Sequence, residues 1–243
     1  VILARSYGTG DPRTLVVPGL GATAGEARVP ASGLPGTRTV LTLPSHADNT
    51  DAPPGYWHYA TLARDVAAVL GGTRQAVGVS LGAAALCALV AADPTALDRL
   101  VLLLPGALSK PRPAPSAALV LAMADAADAD DRAGLRALVA PTVPPGTGSY
   151  VDDRTTALLR LGPALRAVAT EVPVPDPAAL ADVRAQVLVV AATGDPVHPA
   201  EVAEEAANAF PRAELVRYDS PAPLVTHRRE LRARLSGFLG RPD

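Results

Sequence analysis

Cysteine, lysine and aromatic residues are scarce in this chain. The lone cysteine, Cys87, lies inside the apolar run LGAAALCALVAA, so neither an internal disulfide framework nor a thiolate metal cage can form. Lys110 is the sole lysine and the net charge is -2, with no run of like charge to attract nucleic acid or an anionic membrane. The longest apolar stretches, Leu81 to Ala92 and Leu100 to Leu108, are separated by Asp93, Pro94 and Asp98. Both fall short of the roughly 20 residues that span a bilayer. The opening residues VILARSYGTG carry no leader pattern. The expectation is a cytoplasmic protein with a small neutral partner, no nucleic acid and no membrane. No His/Asp/Glu cluster has metal-ligand spacing, and Gly19, Gly21 and Gly25 lack the Lys-Ser/Thr of a phosphate loop, so no metal or cofactor is expected.

At 243 residues the chain suits one domain with a sizeable core. Short apolar runs recur at Thr14 to Pro18, Arg38 to Pro44, Gln75 to Val79, Leu100 to Pro105, Gln186 to Ala192 and Ala213 to Tyr218. Helical patterns lie between them at Tyr59 to Leu70, Leu81 to Ala92, Glu201 to Phe210 and Arg228 to Leu239, the last with Thr226 as its expected N-cap and Glu230 near the capping-box position. This alternation implies an α/β fold, doubly wound around a mostly parallel sheet. It breaks between about Gly106 and Ala185, where a Pro-rich stretch leads into three helical patterns. We expect a core of residues 1–105 and 186–243 and a small helical cap or lid of residues 106–185, together one domain.

The run Gly78-Val79-Ser80-Leu81-Gly82 stands where an expected strand meets an expected helix. Flanking glycines permit a sharp turn that lifts the serine oxygen into the crevice, and the helix start offers the Leu81 amide to a developing oxyanion. A second donor is expected in the turn after an earlier strand, where Pro18-Gly19-Leu20-Gly21 makes the Leu20 amide the candidate. An ordinary serine in a strand-to-helix turn is the competing reading.

With these landmarks in order, the chain resembles the α/β-hydrolase family over nearly its whole length. VVPGLGATA resembles the oxyanion turn, with Pro18-Gly19 where many members have His-Gly. The segment around His46 followed by a helix resembles a Gly-His-Gly-x-Ser region in altered form, GVSLG matches the nucleophile elbow, and VLVVAATGDPVHP resembles the strand and loop that end in the catalytic acid. The resemblance implies Ser80 as nucleophile and Asp195 as acid; the other usual place for the acid holds Pro105-Gly106-Ala107, without a carboxylate, and an N-cap for the helix near Pro199 is the competing reading of Asp195.

The base does not fall into line. Family members usually carry the histidine about five residues after the last strand, and that count from Tyr218 ends on Pro223. His227, four residues further on, is the expected base, because a triad is defined by geometry rather than spacing; a surface residue at the start of the last helix is the competing reading. His198 is the second candidate, read rather as a pocket residue beside the acid. His46 and His58 are read as packing or hydrogen-bonding residues. Leu20, Leu81, Tyr56, Trp57, Met123 and Tyr150 are the expected pocket lining, mostly apolar, although sparse aromatics are equally ordinary core. The implied activity is that of a serine hydrolase, esterase- or thioesterase-like, cleaving a small apolar acyl compound through an acyl-enzyme. Pro223 keeps two alternatives open: a non-hydrolytic lyase or cyclase on the same fold, or a catalytically silent homologue that binds a ligand or partner.

Overall fold

The computed structural model describes residues 1–240. Its centre is a seven-stranded sheet built from β1 (Leu3–Tyr7), β2 (Arg13–Val17), β3 (Thr37–Thr42), β4 (Gln75–Val79), β5 (Arg99–Leu103), β6 (Gln186–Ala192) and β7 (Ala213–Tyr218), in the order β1-β3-β2-β4-β5-β6-β7. All neighbours are parallel except β1 and β3. Three of the six expected strands match their elements end to end, and the other three are shifted by a residue or two. β1 was not among them. It is an edge strand with four exposed residues of five, so it carries no buried apolar run to signal it.

Side chains alternate across each strand, and the central strands use both faces. Leu100, Leu102, Val187 and Val189 point into one core with α2 (Tyr59–Val69), α3 (Leu81–Ala92) and α8 (Ala200–Ala209). Val101, Leu103, Leu188 and Val190 point into another with α10 (Arg228–Leu239). Val16 and Val40 meet the short α1 (Ala24–Ala27). The fold is therefore α/β and doubly wound. His227 caps α10, correcting the expectation for Thr226, which instead ends the one-turn helix α9 (Pro223–Thr226). A proline at the start of a helical turn is pre-set for it and has no N–H to leave unpaired.

Between β5 and β6 the chain inserts four helices, α4 (Ala114–Asp128), α5 (Arg132–Val139), α6 (Tyr150–Leu158) and α7 (Gly162–Thr170), where three were expected. β2 has β3 on one side and β4 on the other, so consecutive chain crossings leave in opposite directions there. The carboxyl ends of β2 and β4 flank this reversal, the place where open α/β sheets form a crevice. No helix among the described residues is long and apolar enough to cross a membrane.

Candidate active site

Ser80 joins β4 to α3 with φ 49° and ψ −109°, a left-handed conformation that strains a residue with a side chain by about 1–3 kcal/mol. Its neighbours hold it there. The Ser80 N–H donates to the Leu103 carbonyl at 2.9 Å, and its carbonyl accepts from the Ala84 N–H at 3.0 Å. A Cβ on Gly78 would lie 2.6 Å from the Ala83 nitrogen, and one on Gly82 only 2.2 Å from the Val17 carbonyl oxygen. Both glycines are thus required for α3 to start this close to the sheet. Leu81 is the first residue of α3, so its amide has no carbonyl one turn earlier to pair with and sits at the positive end of the helix.

The turn after β2 lies against this elbow: a Cβ on Gly19 would be 3.5 Å from the Ser80 Cβ. Ala22 N–H closes the turn onto the Gly19 carbonyl at 3.2 Å, with Gly21 at φ 73°. Gly21 N–H donates to His46 Nε2 at 2.9 Å. Because an amide can only donate, Nε2 must be the unprotonated nitrogen, so Nδ1 carries the hydrogen and donates to the Pro44 carbonyl at 2.8 Å. Burial pulls the imidazole pKa down to about 4, against the Pro44 bond and with help from the charges of Arg154 and Arg160. The Gly21 and Ala22 amides are thus committed within the turn, and Leu20 precedes them on the stretch that follows Gly19. His46 therefore braces this turn, a sharper role than the packing one read from sequence.

The loop from β6 to α8 carries the remaining polar groups. Asp195 Oδ1 accepts the backbone N–H of Val197 at 2.8 Å and of His198 at 3.1 Å. This curls the loop so that the His198 ring returns over the same carboxylate, with Nδ1 2.7 Å from Asp195 Oδ2. Its far nitrogen, Nε2, lies 2.8 Å from Ser80 Oγ. An ionised carboxylate only accepts, which puts the ring hydrogen on Nδ1 and leaves Nε2 to accept the Ser80 hydroxyl proton. Burial pushes the Asp195 pKa up, but the His198 charge and the hydrogen bonds it receives outweigh that and hold it below the usual carboxylate value.

This corrects the expectation for His227. That residue is the N-cap of α10, with Nδ1 2.9 Å from Thr226 Oγ1 and its ring 5.1 Å from that of Tyr218. It is the one-turn helix α9 that carries it off, by coiling the residues that an extended loop would have used as reach. A three-residue separation from the acid looked too short for His198; the Asx-type turn made by Asp195 itself removes that limit.

The expected pocket residues part company. Trp57 and Leu81 line a cavity of about 10 Å³ with Tyr59, Leu62, Ala167 and Val168, room for roughly one water. Tyr56 is stacked edge-on to Trp57 and donates to Asp65 Oδ2 at 3.1 Å. Met123 is buried on α4. Tyr150, its hydroxyl pKa raised to about 12 chiefly by burial, lies in the field of Glu26 and Arg154; Arg154 donates to the Leu20 carbonyl at 3.3 Å. Exposed His58 contacts Glu171 instead of the crevice. A groove of about 790 Å³ edged by Leu70, Arg74, Leu89 and Val174 lies at the opposite end of β4, since Arg74 directly precedes that strand.

Comparisons with known proteins agree with this architecture. Superposed structures include an α/β-hydrolase enzyme from a Medee basin deep-sea metagenome library (15% identity, TM-score 0.80, 100% of this chain and 95% of that one). An esterase from Exiguobacterium antarcticum is as similar (15%, 0.80, 99% and 96%), as is a hydrolase from Pseudomonas aeruginosa PA01 (22%, 0.78, 99% and 94%). At these identities the likeness is one of fold. No curated protein matches the sequence. The sequence profile of the Alpha/beta hydrolase family matches residues 14–232, a span that runs from β2 into α10, and the chain belongs to that family.

Proposed function

We propose that the protein is a serine hydrolase that cleaves a small apolar ester or thioester, with Ser80, His198 and Asp195 as its triad. One observation carries this reading: the continuous pair of hydrogen bonds from Ser80 Oγ to His198 Nε2 and from His198 Nδ1 to Asp195, at 2.8 and 2.7 Å. In this reading His198 takes the Ser80 proton as the alkoxide attacks the acyl carbonyl, and the Leu20 and Leu81 amides receive the charge that develops on oxygen. Asp195 stabilises the imidazolium, which then protonates the leaving alcohol or thiol. Water repeats the sequence on the acyl-enzyme and releases the acid.

The preference for an apolar acyl group follows from Leu81, the residue after the nucleophile, whose neighbours Trp57, Leu62 and Val168 are uncharged. The test is hydrolysis of p-nitrophenyl acetate by the wild type and Ser80→Ala. A burst of p-nitrophenol stoichiometric with enzyme, absent in Ser80→Ala, is expected; equal turnover in the two proteins would contradict the assignment.

A further inference from the structure

Arg112 follows β5 and precedes α4, in a stretch with no catalytic signal in the sequence. The residue is 6% exposed, and burial lowers its pKa below the ordinary guanidinium value without neutralising it. Its hydrogen-bond acceptors are two carbonyls and a hydroxyl: Nε donates to Val168 O on α7 at 3.1 Å, and Nη1 donates to Ser116 Oγ at 3.0 Å and to the Val197 carbonyl. Ser116 Oγ also donates to the Val197 carbonyl, at 2.8 Å. These direct acceptors are neutral, and the one negative charge that favours the guanidinium is the Asp195 carboxylate of the same loop; burying a cation is expensive, and an apolar side chain of similar shape would fill the space at lower cost. The backbone accommodates it specifically, because a Cβ on Gly106 would lie 2.3 Å from Arg112 Nη2.

The peptide that Arg112 grips is the one joining Val197 to His198. Arg112 and Ser116 hold its carbonyl, while Asp195 Oδ1 holds its N–H at 3.1 Å. Since a peptide is planar, bonds on both of its edges fix its rotation, and with it the Cα from which the His198 ring projects. Acid and base share one short loop here, so one clamp sets both.

We propose that Arg112 is a positioning residue that locks the Val197–His198 peptide, holding the imidazole at Ser80 and tying the loop to the cap helix α7. The proposal rests on His198 being the base. Misplacing a reacting group by about 1 Å loses on the order of 100-fold in rate. In Arg112→Met the limiting rates of p-nitrophenyl acetate turnover and of fluorophosphonate labelling should therefore fall about 10- to 100-fold, with half-saturating concentrations within about twofold. Arg112→Lys, which keeps a charged donor, should recover part of the loss, and added methylguanidinium should partly restore Arg112→Met.

Wild-type limiting rates in an Arg112→Met protein with a native circular dichroism spectrum would overturn the proposal. So would a loss confined to half-saturation, or one that neither Lys nor methylguanidinium relieves. Should Arg112→Met not fold, Ser116→Ala decides: it removes one of the two donors at the Val197 carbonyl, and a limiting rate lowered about three- to tenfold supports the clamp, while an unchanged one overturns it. His198→Ala measured in parallel separates the two claims. If that variant stays active, the base assignment and the clamp fail together; if it is inactive while Arg112→Met is not, only the clamp fails.

Discussion

Two histidines near the crevice do opposite jobs, and their surroundings distinguish them. His46 is buried, pulled down to about 4, and held as a neutral ring between the Gly21 N–H and the Pro44 carbonyl. It cannot exchange protons with a substrate without breaking the turn it braces. His46→Ala should lower the limiting rate about 10- to 100-fold, less than or near the loss of one oxyanion donor, with little effect on half-saturation; steady-state kinetics with p-nitrophenyl acetate check this. An unchanged rate would show that the turn holds Leu20 without it. Of the proposed triad, Ser80 and Asp195 are the members that the family resemblance implies, since an elbow and an acid loop are local patterns. The base was not legible in the sequence, because its position depends on how Asp195 bends its own loop and on the coil of α9, neither of which has a spacing signature. Arg112 and Arg154 left no signal either: each acts on a carbonyl far away in sequence.

At the scale of elements, α3 approaches the backbone of the sheet closely. A methyl at Gly82 would meet the Val17 and Pro18 backbone, which has no rotamer by which to yield. Gly82→Ala is therefore expected to lower unfolding free energy by about 2–3 kcal/mol or more, read from the urea midpoint, whereas Gly237→Ala on α10, where a Cβ meets nothing within 4 Å, should be neutral or mildly stabilising. Equal effects at the two sites would contradict this packing. The alternation of buried strands and helices was plain in the sequence because fully buried strands read as continuous apolar runs. The exposed edge strand β1 and the one-turn helix α9 escaped notice for the converse reason, having too little buried surface to leave a period.

For the molecule as a whole, His46 makes stability depend on pH. An unfolded imidazole titrates near 6.5, the folded one at about 4, so between those values the unfolded chain binds more protons. Stability should fall as pH drops from 6.5 toward 4 and level off below, by on the order of 3 kcal/mol from this residue. Asp195, held low, contributes its own loss only beneath the ordinary carboxylate value of 3.8, outside that window. Urea unfolding at pH 7 and pH 4.5 should therefore show a weaker pH dependence in His46→Gln than in wild type; identical dependence would contradict it. Cys87, fully buried with its thiol raised to about 12 by desolvation, should resist iodoacetamide in the native state and react as the chain unfolds, and labelling followed by mass across a urea series reads this directly.

The central claim is that acid and base stand on one loop, with His198 serving Ser80. Fluorophosphonate labelling read by intact mass tests it most directly when wild type, His198→Ala and His227→Ala are compared. A single adduct on wild type and His227→Ala, with labelling of His198→Ala slowed by about 10⁴-fold or more, is the expected result. Labelling that survives the loss of His198, or that vanishes with His227, would contradict the account.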